Sequence, residues 1–97
     1  MYEYLVRQID DEEFFILFQN WKEVLRPSSF ETKIVQESGK FHIEVEGCKI
    51  SFSPEPPGMQ VSFCEFSISE EKANQIVQEI LANMELHTGR KGRIIPI

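Results

Sequence analysis

A chain of 97 residues, 41% apolar and 27% charged, has the size and composition of one globular domain built around a single two-layer core. Its densest apolar run, Phe14 to Phe18, is five residues long; a bilayer span needs about 20, so no membrane role is expected. Sixteen acidic against ten basic residues give a net charge of −6, with Arg90, Lys91 and Arg93 crowded into the C-terminal segment; such a chain lacks the basic face that nucleic acid requires and suits a basic protein partner better.

The order Met-Tyr-Glu-Tyr at the start lacks a basic segment followed by an apolar one, so no secretory signal is expected. Cys48 and Cys64 are too few for a disulfide framework, and reduced thiols in the cytoplasm are the expectation. Residues 2–9 are rich in aromatic and β-branched side chains and read as a short strand with imperfect alternation. Asp10, with Glu13 three residues on, has the form of a helix N-cap, and a first helix is expected from about Asp11 to Leu25. Phe14, Leu17, Phe18, Trp21, Val24 and Leu25 form its core stripe, with Phe15 and Ile16 off that stripe. Pro27 ends it, because the residue before proline avoids the helical region.

Four strands follow. Glu46-Gly47 fits a two-residue hairpin loop, which sets Val45 opposite Cys48, Ile43 opposite Ile50 and Phe41 opposite Phe52 on one face. Glu44 then meets Lys49, and His42 meets Ser51, on the other. A slip of one residue would oppose apolar to polar side chains throughout, so the register is well specified. A four-residue loop, Glu37 to Lys40, places Ile34 opposite Ile43, Thr32 opposite Val45 and Lys33 opposite Glu44. Pairing Gln60 with Ser53 brings Val61 onto Phe52 and Phe63 onto Ile50. The connection from Pro54 to Met59 is proline-rich and reads as a stiff loop, with Pro57-Gly58 at a turn centre.

From Ser69 to Gly89, the apolar residues Ala73, Ile76, Val77, Ile80, Leu81 and Met84 recur at helical spacing. Ser69 is placed to cap, Glu70 and Glu71 suit the positive end of the dipole, and Gly89 can end the helix in the left-handed region. Ile94-Ile95-Pro96-Ile97 follows the basic cluster and suits an edge strand. The expected fold is α+β: a four-stranded antiparallel meander with two amphipathic helices packed on one face, and extra edge strands from the N- and C-terminal segments.

No catalytic, metal or nucleotide motif is present. Cys48, Cys64, His42 and His87 lack the close spacing of zinc ligands. His42 and Cys64 fall on strands separated by a third, too far apart for a nucleophile and its base. The paired glutamates sit at helix starts, where the dipole accounts for them. The expectation is a non-enzymatic domain without cofactor or metal that binds a basic protein, of the kind that inhibits a toxin or nuclease or confers immunity to it. The alternative is a structural or homo-oligomeric accessory subunit. Phe15 and Ile16 on the first helix, and Glu55 and Met59 in the proline loop, are the candidate partner-binding residues, because an apolar anchor must supply the affinity that exposed charges do not.

Overall fold

Glu46 and Gly47 both take positive φ, 52° and 80°, as a two-residue turn between twisted antiparallel strands requires. In the computed structural model, which describes residues 2–9, 16–37, 39–55, 58–64 and 68–97, this turn joins β3 (Lys40–Val45) to β4 (Cys48–Glu55). Val45 opposes Cys48, Ile43 opposes Ile50, Glu44 opposes Lys49 and His42 opposes Ser51, the register expected from the alternation. β2 (Lys33–Glu37) pairs with β3 through Lys33–Glu44 and Ile34–Ile43, and β5 (Gly58–Phe63) pairs with β4 through Ser53–Gln60, Phe52–Val61 and Ile50–Phe63. These pairs too are the expected ones.

The sheet is larger than the expected meander. β1 (Tyr2–Gln8) and β6 (Gly92–Pro96) join it to give six antiparallel strands in the order β2-β3-β4-β5-β1-β6. β6 is an edge strand. β1 is not: it lies between β5 and β6, with Tyr4 opposite Val61 and Val6 opposite both Met59 and Ile94. Tyr2, Tyr4, Val6 and Gln8 point to the core face, while Leu5 points to the open face beside Ile95. That apolar pair on the open side is why the alternation of β1 looked imperfect.

Two other expectations are corrected. The loop between β2 and β3 is two residues rather than four, because Glu37 pairs with Lys40. Pro54 and Glu55 belong to β4, and Gly58 and Met59 to β5, so four of the six residues of the expected proline loop are strand; residues 56–57 lie outside the described residues. Proline is tolerated at position 54 because its nitrogen points toward β3 beyond the last β3–β4 pair, His42–Ser51, where there is no ladder bond to lose. Gly58 is constrained by contact: a Cβ there would stand 2.5 Å from the Val6 carbonyl oxygen and 3.0 Å from Arg7 Cβ.

The largest correction is to the first helix. Leu17 has φ −61° and ψ 137°, an extended backbone that no helix can pass through. The chain instead enters a 3-10 turn, Phe18–Asn20, and a single helical turn, α1 (Trp21–Val24). Residues 10–15, including Asp10, Glu13, Phe14 and Phe15 of the expected helix, lie outside the described residues. Ring contacts prevail over helical phase here. Phe18 and Trp21 pack on each other at 4.9 Å and on Phe41 at 6.3 and 5.8 Å.

α2 (Glu70–Thr88) is the helix expected from its periodicity. Ser69 accepts a hydrogen bond from the Lys72 N–H at 3.2 Å, and Gly89 ends the helix at φ 72°. Ala73, Ile76, Val77, Ile80 and Met84 are buried against Val6, Ile43, Val45, Ile50, Val61 and Phe63 of the sheet core. Cys48 is buried in this core, Cys64 lies on the opposite face, and the two form no disulfide. Asn83 of α2 donates to the carbonyls of Val24 and Arg26 at 3.2 and 2.7 Å, tying α1 to α2.

Ile80→Ala should cost about 2–4 kcal/mol in a urea melt, because it deletes buried methylenes in the middle of the stripe. Gln78→Ala, on the exposed side of the same helix, should stay within about 0.5 kcal/mol. Gly58→Ala should destabilise more than an exposed substitution does, since β1 backbone occupies the place of its Cβ; a melt superimposable on wild type would contradict the β1–β5 packing.

Candidate functional site

Two concavities flank the β3–β4 hairpin, and their chemistry differs. The first, about 700 Å³, is lined by residues 29–33, by Glu44, Glu46 and Gly47, and by Lys72. Its charges are largely neutralised from within. Lys72 Nζ donates to Glu46 Oε1 at 2.9 Å, and Lys33 Nζ lies 4.0 Å from Glu44. Glu79 of α2 fixes the approach to it, accepting the Ser29 N–H at 2.8 Å and the Gln75 side-chain amide at 3.0 Å. Burial raises the Glu79 pKa, but the Ser29 N–H, the Gln75 amide and the hydroxyls of Ser28 and Ser29 outweigh it and hold the carboxyl below its ordinary value.

The second concavity, about 630 Å³, is the candidate site. Phe18, Trp21, Phe41 and Phe52 give it a continuous aromatic lining, with Phe41 and Phe52 rings 5.8 Å apart. The 3-10 turn and α1 bring Phe18 and Trp21 over the hairpin. The Trp21 indole N–H donates to the Ile16 carbonyl at 3.2 Å and so holds the ring against the turn. Trp21, Phe41 and Phe52 are buried, whereas Phe18 is 38% exposed and its neighbour Leu17 is 50% exposed. Lys40, His42 and Lys49 also line the groove, so the acidic excess of the chain does not extend to it. An aromatic surface of this kind, open at one end, can take an apolar side chain of a partner. Among the described residues no group of three His, Cys, Asp or Glu is placed to hold a metal. His42 has Glu44 at 3.8 Å as its ionic neighbour, and Cys64 lies across β4 with its Sγ 3.7 Å from Ser51 Oγ.

The four residues expected to contact a partner are not brought together. Phe15 lies outside the described residues. Ile16 is half-buried and packs against the core instead of projecting from a helix. Glu55 pairs with Gly58 in the β4–β5 ladder; its side chain is outside the described parts. Met59 is 8% exposed and faces the core between Val6 and Pro54, leaving it almost no surface for contact. Phe18 and Trp21 belong to the expected core stripe, and their spacing of three residues, with Phe41 in the sheet, is the sequence signal for the groove.

Because the Glu79 pKa is lowered on folding, its contribution to stability is present above the ordinary carboxylate range and is lost as pH falls through its folded-state value. Glu79→Gln should therefore flatten the acid limb of the stability–pH profile slightly, with the alkaline limb unchanged; a steeper acid limb in the variant would contradict the assignment. No protein-family model matches the chain, and no curated protein or solved structure shows significant similarity to it.

Proposed function

We propose that this chain is a small, acidic, non-enzymatic protein-binding domain that holds an apolar side chain of a basic partner in the groove at Phe18, Trp21, Phe41 and Phe52. The observation that carries the reading is the exposure of Phe18 on an otherwise buried aromatic cluster. Interface hot spots have this form, an aromatic anchor in a well-packed pocket. The net charge of −6 acts at longer range: it speeds encounter with a basic partner and adds little to the final affinity. Inhibition of a basic toxin or nuclease is one task that suits such a domain.

The test is capture from native lysate on immobilised wild-type protein and, in parallel, on Phe18→Ala. A partly exposed ring can be removed at a cost of about 1–2 kcal/mol, so the variant should remain folded. A basic protein held by wild type should dissociate faster from Phe18→Ala, and added salt should slow its association while leaving dissociation nearly unchanged. Equal dissociation rates from both proteins would place the anchor elsewhere, and retention of an acidic partner would overturn the charge assignment.

A further inference from the structure

We propose that the free edge of β2 pairs with the same edge of a second copy of this chain, antiparallel, across a two-fold axis at Val35. The starting point is which backbone groups point outward. The Cys64 N–H donates to the Lys49 carbonyl at 3.0 Å, so odd-numbered residues of β4 bond to β5 and even-numbered ones to β3, since direction alternates residue by residue. Carried across the hairpins, the same alternation directs Lys33, Val35 and Glu37 to β3. Ile34 and Gln36 then present N–H and C=O to the open side of the sheet.

The two edges of the sheet are treated differently. At β6, Ile97 donates to Glu3 and Ile9 donates to Lys91, so Gly92, Ile94 and Pro96 face outward. The Gly92 N–H is taken by Glu85 Oε2 of α2 at 2.9 Å, and Pro96 has no N–H. Only Ile94 retains an outward donor, and that edge is closed to strand addition. Among the described residues β2 has no such cover from Glu85-type side chains or proline, and its two outward residues are both donors and acceptors.

The β2 edge is also complementary to itself. An antiparallel two-fold at Val35 places Ile34 opposite the partner's Gln36, and Gln36 opposite the partner's Ile34. Both are hydrogen-bonding pairs, giving four main-chain hydrogen bonds. On the open face it places Lys33 opposite the partner's Glu37, twice, with the two Val35 side chains between them. Opposite charges in direct cross-strand register stabilise a pair. Lys33 is 75% exposed beside Glu44, so it stands between two carboxylates in the assembly. Moving the axis to Ile34 sets Lys33 against valine and brings Glu31 opposite the partner's Glu37, a like-charge pair. Moving it to Gln36 sets Glu37 against valine. Only the axis at Val35 satisfies both charge and hydrogen-bond alternation. The result is a continuous twelve-stranded sheet, and the aromatic groove takes no part in it.

Sedimentation equilibrium of the full chain tests this. Wild type should show a concentration-dependent monomer–dimer equilibrium. K33E and E37K alone should each weaken the dimer roughly tenfold or more, because each opposes like charges twice. An equimolar mixture of the two variants should recover it, since every position then faces its opposite sign. Gln36→Pro removes one outward donor in each copy, without touching the β2–β3 ladder, and should abolish the dimer while circular dichroism stays native. If that variant unfolds, the charge-swap mixture decides. A wild-type monomer at every concentration would overturn the proposal and leave Lys33 and Glu37 as charges that guard the edge. A dimer indifferent to K33E and E37K, or one the mixture fails to recover, would overturn it as well.

Discussion

The alternation set at the Glu46–Gly47 turn is the constraint on which the rest of this structure depends. Two residues at positive φ allow one tight reversal, and that reversal decides which side chain of each strand faces inward. Cys48, Ile50 and Phe52 go to the core, while Lys49 and Ser51 go to the open face. β2 and β5 inherit their phase from β3 and β4, and β1 and β6 inherit theirs from β5 in turn. A shift of one residue at the turn would expose the whole apolar set and leave α2 with nothing to cover. The same alternation determines which main-chain groups are consumed within the sheet and which remain at its edges.

The aromatic groove is a consequence of that phase combined with a local departure from it. Phe41 and Phe52 are core-face residues near the end of the β3–β4 ladder, where β4 runs on past its partner toward Pro54. α2 packs against β1, β6 and α1. The 3-10 turn and α1 bring Phe18 and Trp21 to the rings at this end of the sheet. A short irregular segment cannot cover as much as a full helix would, and Phe18 is left partly in water. Exposure at this site follows from the layout of the fold and is what makes it available to a partner.

The hairpin register and α2 were legible from the residues because both rest on local, repeated signals. Alternation over Phe41 to Phe52 has one consistent phase, and the stripe from Ala73 to Met84 has caps at both ends. The place of β1 was not legible. Its partners are residues 58–63 and 92–96, more than fifty positions away, and no local pattern says which of two distant strands it joins or that it joins both. Helical spacing from Leu17 to Leu25 is misleading in another way. The apolar residues recur correctly, but Leu17 is extended and Phe18 and Trp21 pack onto Phe41, and tertiary contact overrides a weak local preference. Pro54 and Met59 read as loop because proline usually ends a strand. Here the lost N–H falls where no partner exists, so the strand continues and Met59 is drawn into the core. The candidate site was therefore legible as residues but not as a site: Phe18, Trp21, Phe41 and Phe52 were all identified as apolar, and only the fold brings one of them to the surface.

Hydrogen exchange of individual backbone amides in dilute solution, followed by NMR, tests the alternation most directly. On β2, the amides of Lys33, Val35 and Glu37 are consumed by the ladder and those of Ile34 and Gln36 are not. On β6, Arg93 and Ile95 are bonded to β1 and Ile94 is not. The account predicts slow exchange at Lys33, Val35, Arg93 and Ile95, fast exchange at Ile34, Gln36 and Ile94, and uniformly slow exchange through β1 between its two neighbours. Fast exchange along β1, or protection at Ile94 with loss of it at Arg93 and Ile95, would contradict the phase from which the core, the groove and the open edge all follow.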